Sequence, residues 1–440
     1  MRTALFLLCS FFFWAASAQI DFLQSGPMLG YNEMREVMLW AQTKTEATVQ
    51  FTYWPTDTPS DKHFTIAYTT QRNEAYTAKL IADEVEPGVS YTYELLINNQ
   101  PVKFKYPTTF TTQPLWQWRT DPPDFTVATG SCAYMNEPVY DRPGTPYGSD
   151  YRIFSTIHKQ SPDVMLWLGD NTYLREVDWF SQTGIFKRYT HSRSIPELQP
   201  LLANTHHYAI WDDHDFGPND SDRSYIHKDK TLFAFERFWG NPTFGVNRQP
   251  GITTAFQWAD IDFFLLDNRY FRNPNDRESG EQTLLGKDQL EWLVDALTFS
   301  KAPFKMIAIG GQVLNTAVVY ENYIRLAPEE RAWLLGRIEE EGITGVVFLS
   351  GDRHHTELSQ YTNARGIAVY DLTVSPLTSG VSSNKTEINE LRVAGTHVFE
   401  HNFGLLRFSG KRGERQLHIR ILNKEGVQLW EKVIQQPKTP

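Results

Sequence analysis

Apolar and polar positions alternate along this chain in two different ways. In the first part the period is two. "EVMLWAQ", "ATVQFTYW" and "VSYTYELLI" set apolar residues at every second position and are rich in β-branched and aromatic types. "EPGVSYTY" places a Pro87-Gly88 turn just before Tyr91 and Tyr93. Short strands with turns between them predict a β-sandwich, here over residues 19–113. A Pro-containing linker, 114–123, ends at Pro122-Pro123. From Phe125 the pattern changes. "FTVATGSC", "PDVMLWLGDNTY", "THHYAIWDDHD", "IDFFLLDNRYF", "FKMIAIGGQ" and "GVVFLSGDRHH" are continuous apolar runs. Between them, "YRIFSTIHKQ", "KDQLEWLVDALTFS" and "APEERAWLLGRIEEEG" have helical spacing. Such strands alternating with helices predict an α/β domain, residues 124–440, whose sheet is buried on both faces. "IAVYDLTVSP", "QLHIRILN" and "GVQLWEKVI" return to strand-like alternation.

The N-terminus changes the picture of where the chain works. "MRTALFLLCSFFFWAASAQ" has a basic start, an apolar run and small residues before Gln19. That is the layout of a Sec-type signal peptide over residues 1–18, and it predicts a secreted or periplasmic protein. The run is short of the ~20 residues a spanning helix needs, and no later stretch is long and apolar enough. Of the two cysteines, Cys9 lies in this segment, which leaves Cys132 without an intramolecular partner. An odd cysteine in an exported chain is a reactive thiol, an intermolecular bridge, a metal ligand or a small buried hydrophobe. The formal net charge of −10 argues against stable nucleic-acid binding. It does not exclude a phosphate substrate, because a bound cation inverts the local field. No protein partner is readable.

Four apolar strands end in "GSC", "GDNTY", "WDDHD" and "SGDRHH". One Asp after a strand is ordinary turn chemistry. Four ends bearing Cys, Asp, Tyr and His are a metal-ligand inventory. Carboxylates gathered at the end of a buried sheet repel each other, and a pair of cations removes that cost. A two-metal site is therefore expected.

On these motifs the chain resembles the PhoD-like alkaline phosphatase D family of the calcineurin-like metallophosphoesterase superfamily. The fold implied is a metallophosphoesterase β-sandwich core flanked by helices, preceded by a small all-β fibronectin type III-like domain. The superfamily signature opens with Asp-x-His; here Cys132 stands at the histidine's place and would ligate iron. In Gly-Asp-x-x-Tyr, Asp170 would bridge the two metals and Tyr173 would bind iron. In "WDDHD", Asp213 falls on the asparagine that binds the second metal. His214 falls on the histidine that protonates the leaving group, and Asp215 on the acid that orients it. Asp212 is either a neighbour of the ligands or trades roles with Asp213. In "SGDRHH", Asp352 replaces a histidine at the second metal and His354 binds iron; His355 is extra. Two aspartates make the second site oxygen-rich, which favours calcium, magnesium or manganese over zinc. Iron(III) with calcium is what the resemblance implies.

The family's first-strand Asp is absent, and its separate metal-binding histidine has no clear match. Gln312 in "GGQVLNT" stands near that place. Arg269 in "LLDNRYFR" either grips a phosphate or forms an internal ion pair. His206, His207 and His227 are read as surface or packing residues. The function expected is metal-assisted hydrolysis of small phosphate monoesters or diesters. An activated water attacks phosphorus in line and His214 protonates the departing alkoxide. The alternatives are a phospholipase-like diesterase acting on lipid headgroups and a non-catalytic, metal-stabilised surface-binding protein.

Overall fold

The structure, a computed structural model, describes residues 22–437; the signal-peptide reading of residues 1–18 lies outside the described residues. Two large sheets pack face to face. The nine-stranded sheet runs, in spatial order, Gln428–Gln435, Gln416–Asn423, Asn402–Ser409, Phe125–Gly130, Val164–Leu168, His206–Ile210, Leu23–Asn32, Val37–Thr43 and Thr77–Ala82. The six-stranded sheet runs Thr254–Trp258, Ile261–Leu265, Lys305–Ala308, Val346–Ser350, Ala368–Thr373 and Glu357–Thr362. The continuous apolar runs are central strands of these sheets, each pairing in parallel with at least one neighbour.

The core between the sheets draws Val127, Leu166, Tyr208 and Phe408 from one and Phe263, Met306, Leu349 and Leu372 from the other. A second apolar layer covers the outer face of the six-stranded sheet. There the helices Lys287–Phe299 and Pro328–Glu340 lay Leu290, Leu293, Leu334 and Ile338 over Ile307 and Phe348. This is the α/β sandwich the sequence predicts, flanked by helices.

The all-β N-terminal region precedes this core and shares a sheet with it. In Val37–Thr43 the pleat sends Met38 and Trp40 to the main core and Val37, Leu39 and Ala41 to a separate cluster with Phe51, Tyr93 and Phe110. Leu23–Asn32 pairs in parallel with the core strand at Leu29–His206. Periodicity did not mark Leu23–Asn32, because Gly26, Pro27 and Gly30 interrupt it and its pairing with Val37–Thr43 shifts register three times. Gly30 is required there, since a Cβ would sit 3.0 Å from the backbone of Gly240.

Parallel pairing brings the carboxyl ends of the central strands level. Gly130 lies opposite Trp167, Leu168 opposite Ile210, and Ala308 opposite Leu349. At this edge the two sheets nearly touch. The Leu377 N–H, beyond a strand of the six-stranded sheet, donates to the Ser131 carbonyl, beyond a strand of the nine-stranded one, at 2.8 Å. A Cβ at Gly351 would lie 2.6 Å from Ser131 Cβ and 2.7 Å from the Leu168 carbonyl oxygen. Gly351→Ala is therefore expected to cost about 1–3 kcal/mol by overpacking, read as a lower denaturation midpoint at unchanged slope. An unchanged midpoint would mean that the sheets separate without penalty.

Candidate metal centre

Each strand end turns sharply, and the turning residues are the chemically active ones. Cys132, Asp170, Asp352 and His354 all have left-handed backbone, with φ of 58°, 52°, 65° and 53°. For a residue with a Cβ that conformation costs roughly 1–2 kcal/mol. Main-chain bonds hold the turns together. The Cys132 N–H donates to the Gly169 carbonyl, the Ala133 N–H to the Asp170 carbonyl, and the Thr378 and Ser379 N–H groups to the Cys132 carbonyl.

The side chains converge from both sheets. Cys132 and Tyr173 are buried against each other. Cys132 Sγ lies 3.7 Å from Asp170 Oδ2, and the Tyr173 hydroxyl lies 3.2 Å from the same oxygen. Donor atoms of Cys132, Asp170 and His354 lie within 4.8 Å of one another. The other oxygen of Asp170, Oδ1, faces the short helix Asp213–Phe216 and accepts the His214 backbone N–H at 3.3 Å. Donor atoms of Asp170, Asp213 and His214 form a second group within 4.8 Å. The two oxygens of Asp170 thus face two different donor sets. His214 is fixed by stacking on Tyr173, with ring centroids 4.2 Å apart.

The electrostatics are those of a site short of positive charge. Burial pushes the Cys132 thiol up to about 12. Burial, reinforced by Asp213, Cys132 and Asp212, raises Asp170 well above the carboxylate range. Burial and the charges of Asp212 and Glu321 raise Asp352 to about 7. Burial raises Asp212 to about 6 against the opposing pull of Arg269. Protonated, these groups do not repel; ionised together they need cations. Thiol, phenol, carboxylates and imidazole at one point, held in strained turns, fit metal ions.

Several residues lie elsewhere than the sequence motifs suggested. Asp215 does not orient His214. Its carboxylate accepts the backbone N–H groups of Asn171, Thr172 and Asp212, closing a capping box with Asp212. The physical reason is its place as the third residue of a helical turn, where orphan amides compete for it. Asp212 pairs with Arg269, which also binds Glu321 and lies 3.7 Å from Asp213 Oδ1. Arg269 is fully buried, so it is the internal ion pair and not a phosphate grip. Gln312 bonds Glu357, Thr373 and Arg353 and is not among the donor groups. His206 and His207 are buried packing residues bonded to backbone carbonyls.

Sequence reasoning missed Glu321, Tyr147 and Arg175. The Tyr147 hydroxyl lies 3.3 Å from His354 Nδ1. All three belong to loops without periodicity, and no motif marked them.

Two clefts open on the centre. One, of about 820 Å³, is lined by Asp352, His354, Glu321, Arg353 and Asn219. The other, of about 670 Å³, is lined by Tyr173, His214, Arg142, Arg175, Trp179 and Asn219. Asn219 is common to both.

A family profile described as PhoD-like phosphatase matches residues 127–423. A second, described as a domain of unknown function (DUF7800), matches residues 21–115. The structure is similar to that of PhoD, with a TM-score of 0.74 at 15% identity, covering 94% of this chain and 91% of that one. It is also similar to purple acid phosphatase PPD1 from yellow lupin (Lupinus luteus) seeds, with a TM-score of 0.68 at 12% identity, covering 93% and 74%. No curated protein matches the chain.

The crowded carboxyls set the pH behaviour of the metal-free protein. Asp212, Asp352 and Asp215 have folded pKa values near 6, 7 and 8, with burial the first cause of each rise. In the unfolded chain an aspartate titrates near ~3.9. The folded state therefore binds extra protons from about pH 4 up to these values, and stability is lost as pH rises from about 4 until the last of them is passed near 8. The melting temperature of metal-stripped protein should fall across that window, and added metal should reverse the fall. A melting temperature that rises across it would show that the carboxyls are not crowded.

Proposed function

The chain belongs to the PhoD-like phosphatase family, and we propose that it is an exported two-metal hydrolase that prefers phosphodiesters. Cys132, Asp170, Tyr173 and His354 would hold one ion; thiolate and phenolate donors suit iron(III). Asp170, Asp213 and Asp352 would hold the other, and an all-oxygen set suits calcium, with magnesium or manganese as substitutes. Bound there, the cations would supply positive charge to the phosphoryl oxygens and make a nearby water a stronger acid.

The protein's own groups do the rest. Tyr173 stacks on His214 and fixes the ring at the mouth of the second cleft. Burial lowers the His214 pKa, so its protonated ring is a stronger acid than free imidazolium. The negative charge of a bound phosphate favours that protonated form, and the ring can pass its proton to the leaving oxygen. Arg175 lines the same cleft and can hold an anionic or polar leaving group.

The observation that carries the diester reading is the pair of clefts flanking one centre. A diester has two arms and in-line displacement needs room on opposite sides of phosphorus; a monoester needs one side and an extra cation for its second charge. Exposed Arg325 lines the first cleft and has no ion pair among the described residues, but the arginines buried beside that cleft are not free to supply the cation. Arg269 and Arg272 are paired with Glu321, and Arg353 with Glu387. A second reading, a diester carrying a lipid tail, is favoured by one feature. Val177, Phe180 and Ile226 are exposed, and the first two flank Trp179, which lines the second cleft.

Turnover of bis(p-nitrophenyl) phosphate and p-nitrophenyl phosphate by the metal-loaded protein tests the reading. The diester should have the higher kcat/KM by about tenfold or more, a difference of about 1.4 kcal/mol in transition-state binding. A monoester preference would overturn it. His214→Ala should lower kcat about 10²–10⁴-fold with both metals retained. Cys132→Ala should lose iron, measured by elemental analysis. Faster turnover of long-chain than short-chain diesters would establish the lipid reading.

A further inference from the structure

One cluster of metal-binding side chains lies outside the centre described above. His355, Glu357 and His397 each offer a donor atom, and the three atoms lie within 4.8 Å of one another. His355 and Glu357 are fully buried, and His397 is half-buried. The Nε2 atoms of both histidines are buried and have no hydrogen-bond partner among the described residues.

The tautomer of His355 follows from its other nitrogen. Nδ1 lies 3.0 Å from the Arg353 carbonyl oxygen, which can only accept, so Nδ1 carries the proton. In the neutral ring Nε2 is then a bare lone pair directed into the protein. A buried acceptor without a donor costs about 1–3 kcal/mol. Glu357 does not relieve it. The separation of His355 Nε2 from Glu357 Oε1 is 3.8 Å, beyond hydrogen-bond reach. A cation satisfies the His355 nitrogen, and Glu357 Oε1, which already accepts amide N–H groups, would join it by giving up one of them. Ligands at about 2.0–2.2 Å from one tetrahedral ion stand about 3.4 Å apart, so a contraction of about 0.4 Å completes the pair.

The surroundings hold these donors as metal sites hold theirs. A backbone carbonyl on the far nitrogen fixes the His355 ring. Arg392 holds Glu357 Oε2, and the Gln312 and Asn389 amides hold Oε1. Asn315 also donates to Oε1, at 3.1 Å, but has Gln312 and Glu387 oxygens as other acceptors and can release it.

We propose that His355, His397 and Glu357 form a third metal site that takes a divalent ion of the zinc class, imidazole nitrogen being its preferred donor. The ion adds a metal link between two segments already joined by main-chain bonds at Thr356–Val398, Gln360–Leu391 and Val393–Leu358 and by the Arg392–Glu357 ion pair. Thr356 bridges Val398 and Ser359 bridges Arg392. His355 directly follows His354, so the ion anchors the far side of the loop that carries Asp352 and His354. The site is structural and does not depend on the reaction assigned to the centre.

Diffraction at the zinc absorption edge from crystals of the full metal-loaded protein equilibrated with zinc chloride locates the ion. An anomalous peak is expected between the His355 and His397 rings, resolved from any peak at Asp170. In solution, His397→Ala should bind one zinc equivalent fewer than the wild type, with unchanged iron content. No peak between the rings, or equal zinc in the two proteins, would overturn the proposal and leave the lone pairs to water. The diffraction experiment uses the wild type alone and holds even where the variant fails to fold.

Discussion

The close approach of two sheet edges is the constraint on which the rest of this molecule depends. Gly351 meets Ser131 and Leu168, Gly169 meets Asp212, and Gly310 meets Asp212, all nearer than a Cβ allows. Without side chains at Gly351 and Gly310, strands from different sheets end within reach of one another, and without one at Gly169 two neighbouring strands of the nine-stranded sheet do. The next residues then turn through left-handed backbone and project inward. Cys132 and Asp170 come from one sheet; Asp352 and His354 come from the other. The donors meet because the glycines let the backbones meet, and the strain at each turn is repaid only when those donors are used.

Convergence creates an electrostatic problem that the protein solves in part by itself. Arg269 is the internal part of the solution. It lies fully buried between Asp212 and Glu321, and Arg272 adds a second cation on Glu321. Removing one member of such a network leaves charge stranded, at a cost of about 3–5 kcal/mol. Those arginines hold Glu321 well below the usual carboxylate range and only partly offset the rise that burial imposes on Asp212, the two outer carboxylates. They leave Asp170 and Asp352 with raised pKa values and, among the described residues, no cationic side chain in an ion pair with them. The division of labour is physical. Fixed guanidinium groups hold the outer ring, and the inner ring is left for exchangeable ions.

The motifs were legible because each followed an apolar strand, and strands in parallel register must end together. That argument placed Cys132, Asp170, Tyr173, Asp213 and His354 near one point without knowledge of a contact. It failed for Asp215, where adjacency to His214 was taken to mean that the acid faces the ring. Asp212-x-x-Asp215 is itself the spacing of a capping box, so the sequence held the right signal beside the misleading one. Arg269 left two readings open, because a charged residue after a strand looks the same whether it meets substrate or another side chain. Glu321, Tyr147 and Arg175 could not be read at all. They sit in aperiodic loops, and only folding decides which loop residues reach the centre.

The N-terminal region belongs to the same argument, because it supports the strand that ends in Asp212 and Asp213. Asn32 bonds His206 through its side chain, at 3.2 Å, and the Tyr208 hydroxyl through its backbone N–H, at 3.0 Å. Tyr93 donates to the Ala203 carbonyl at 2.7 Å, and Gln113 ties Asn32 to Gln257. Met28, Met38 and Trp40 fill part of the main core. A catalytic region cut away from these strands would expose that core and free the edge of His206–Ile210. An edge strand with unpaired backbone groups frays or pairs elsewhere. The position of Asp213 would then be set by a strand end with nothing behind it. The all-β region is thus part of the scaffold of the second donor set, whatever surface it also presents to solvent.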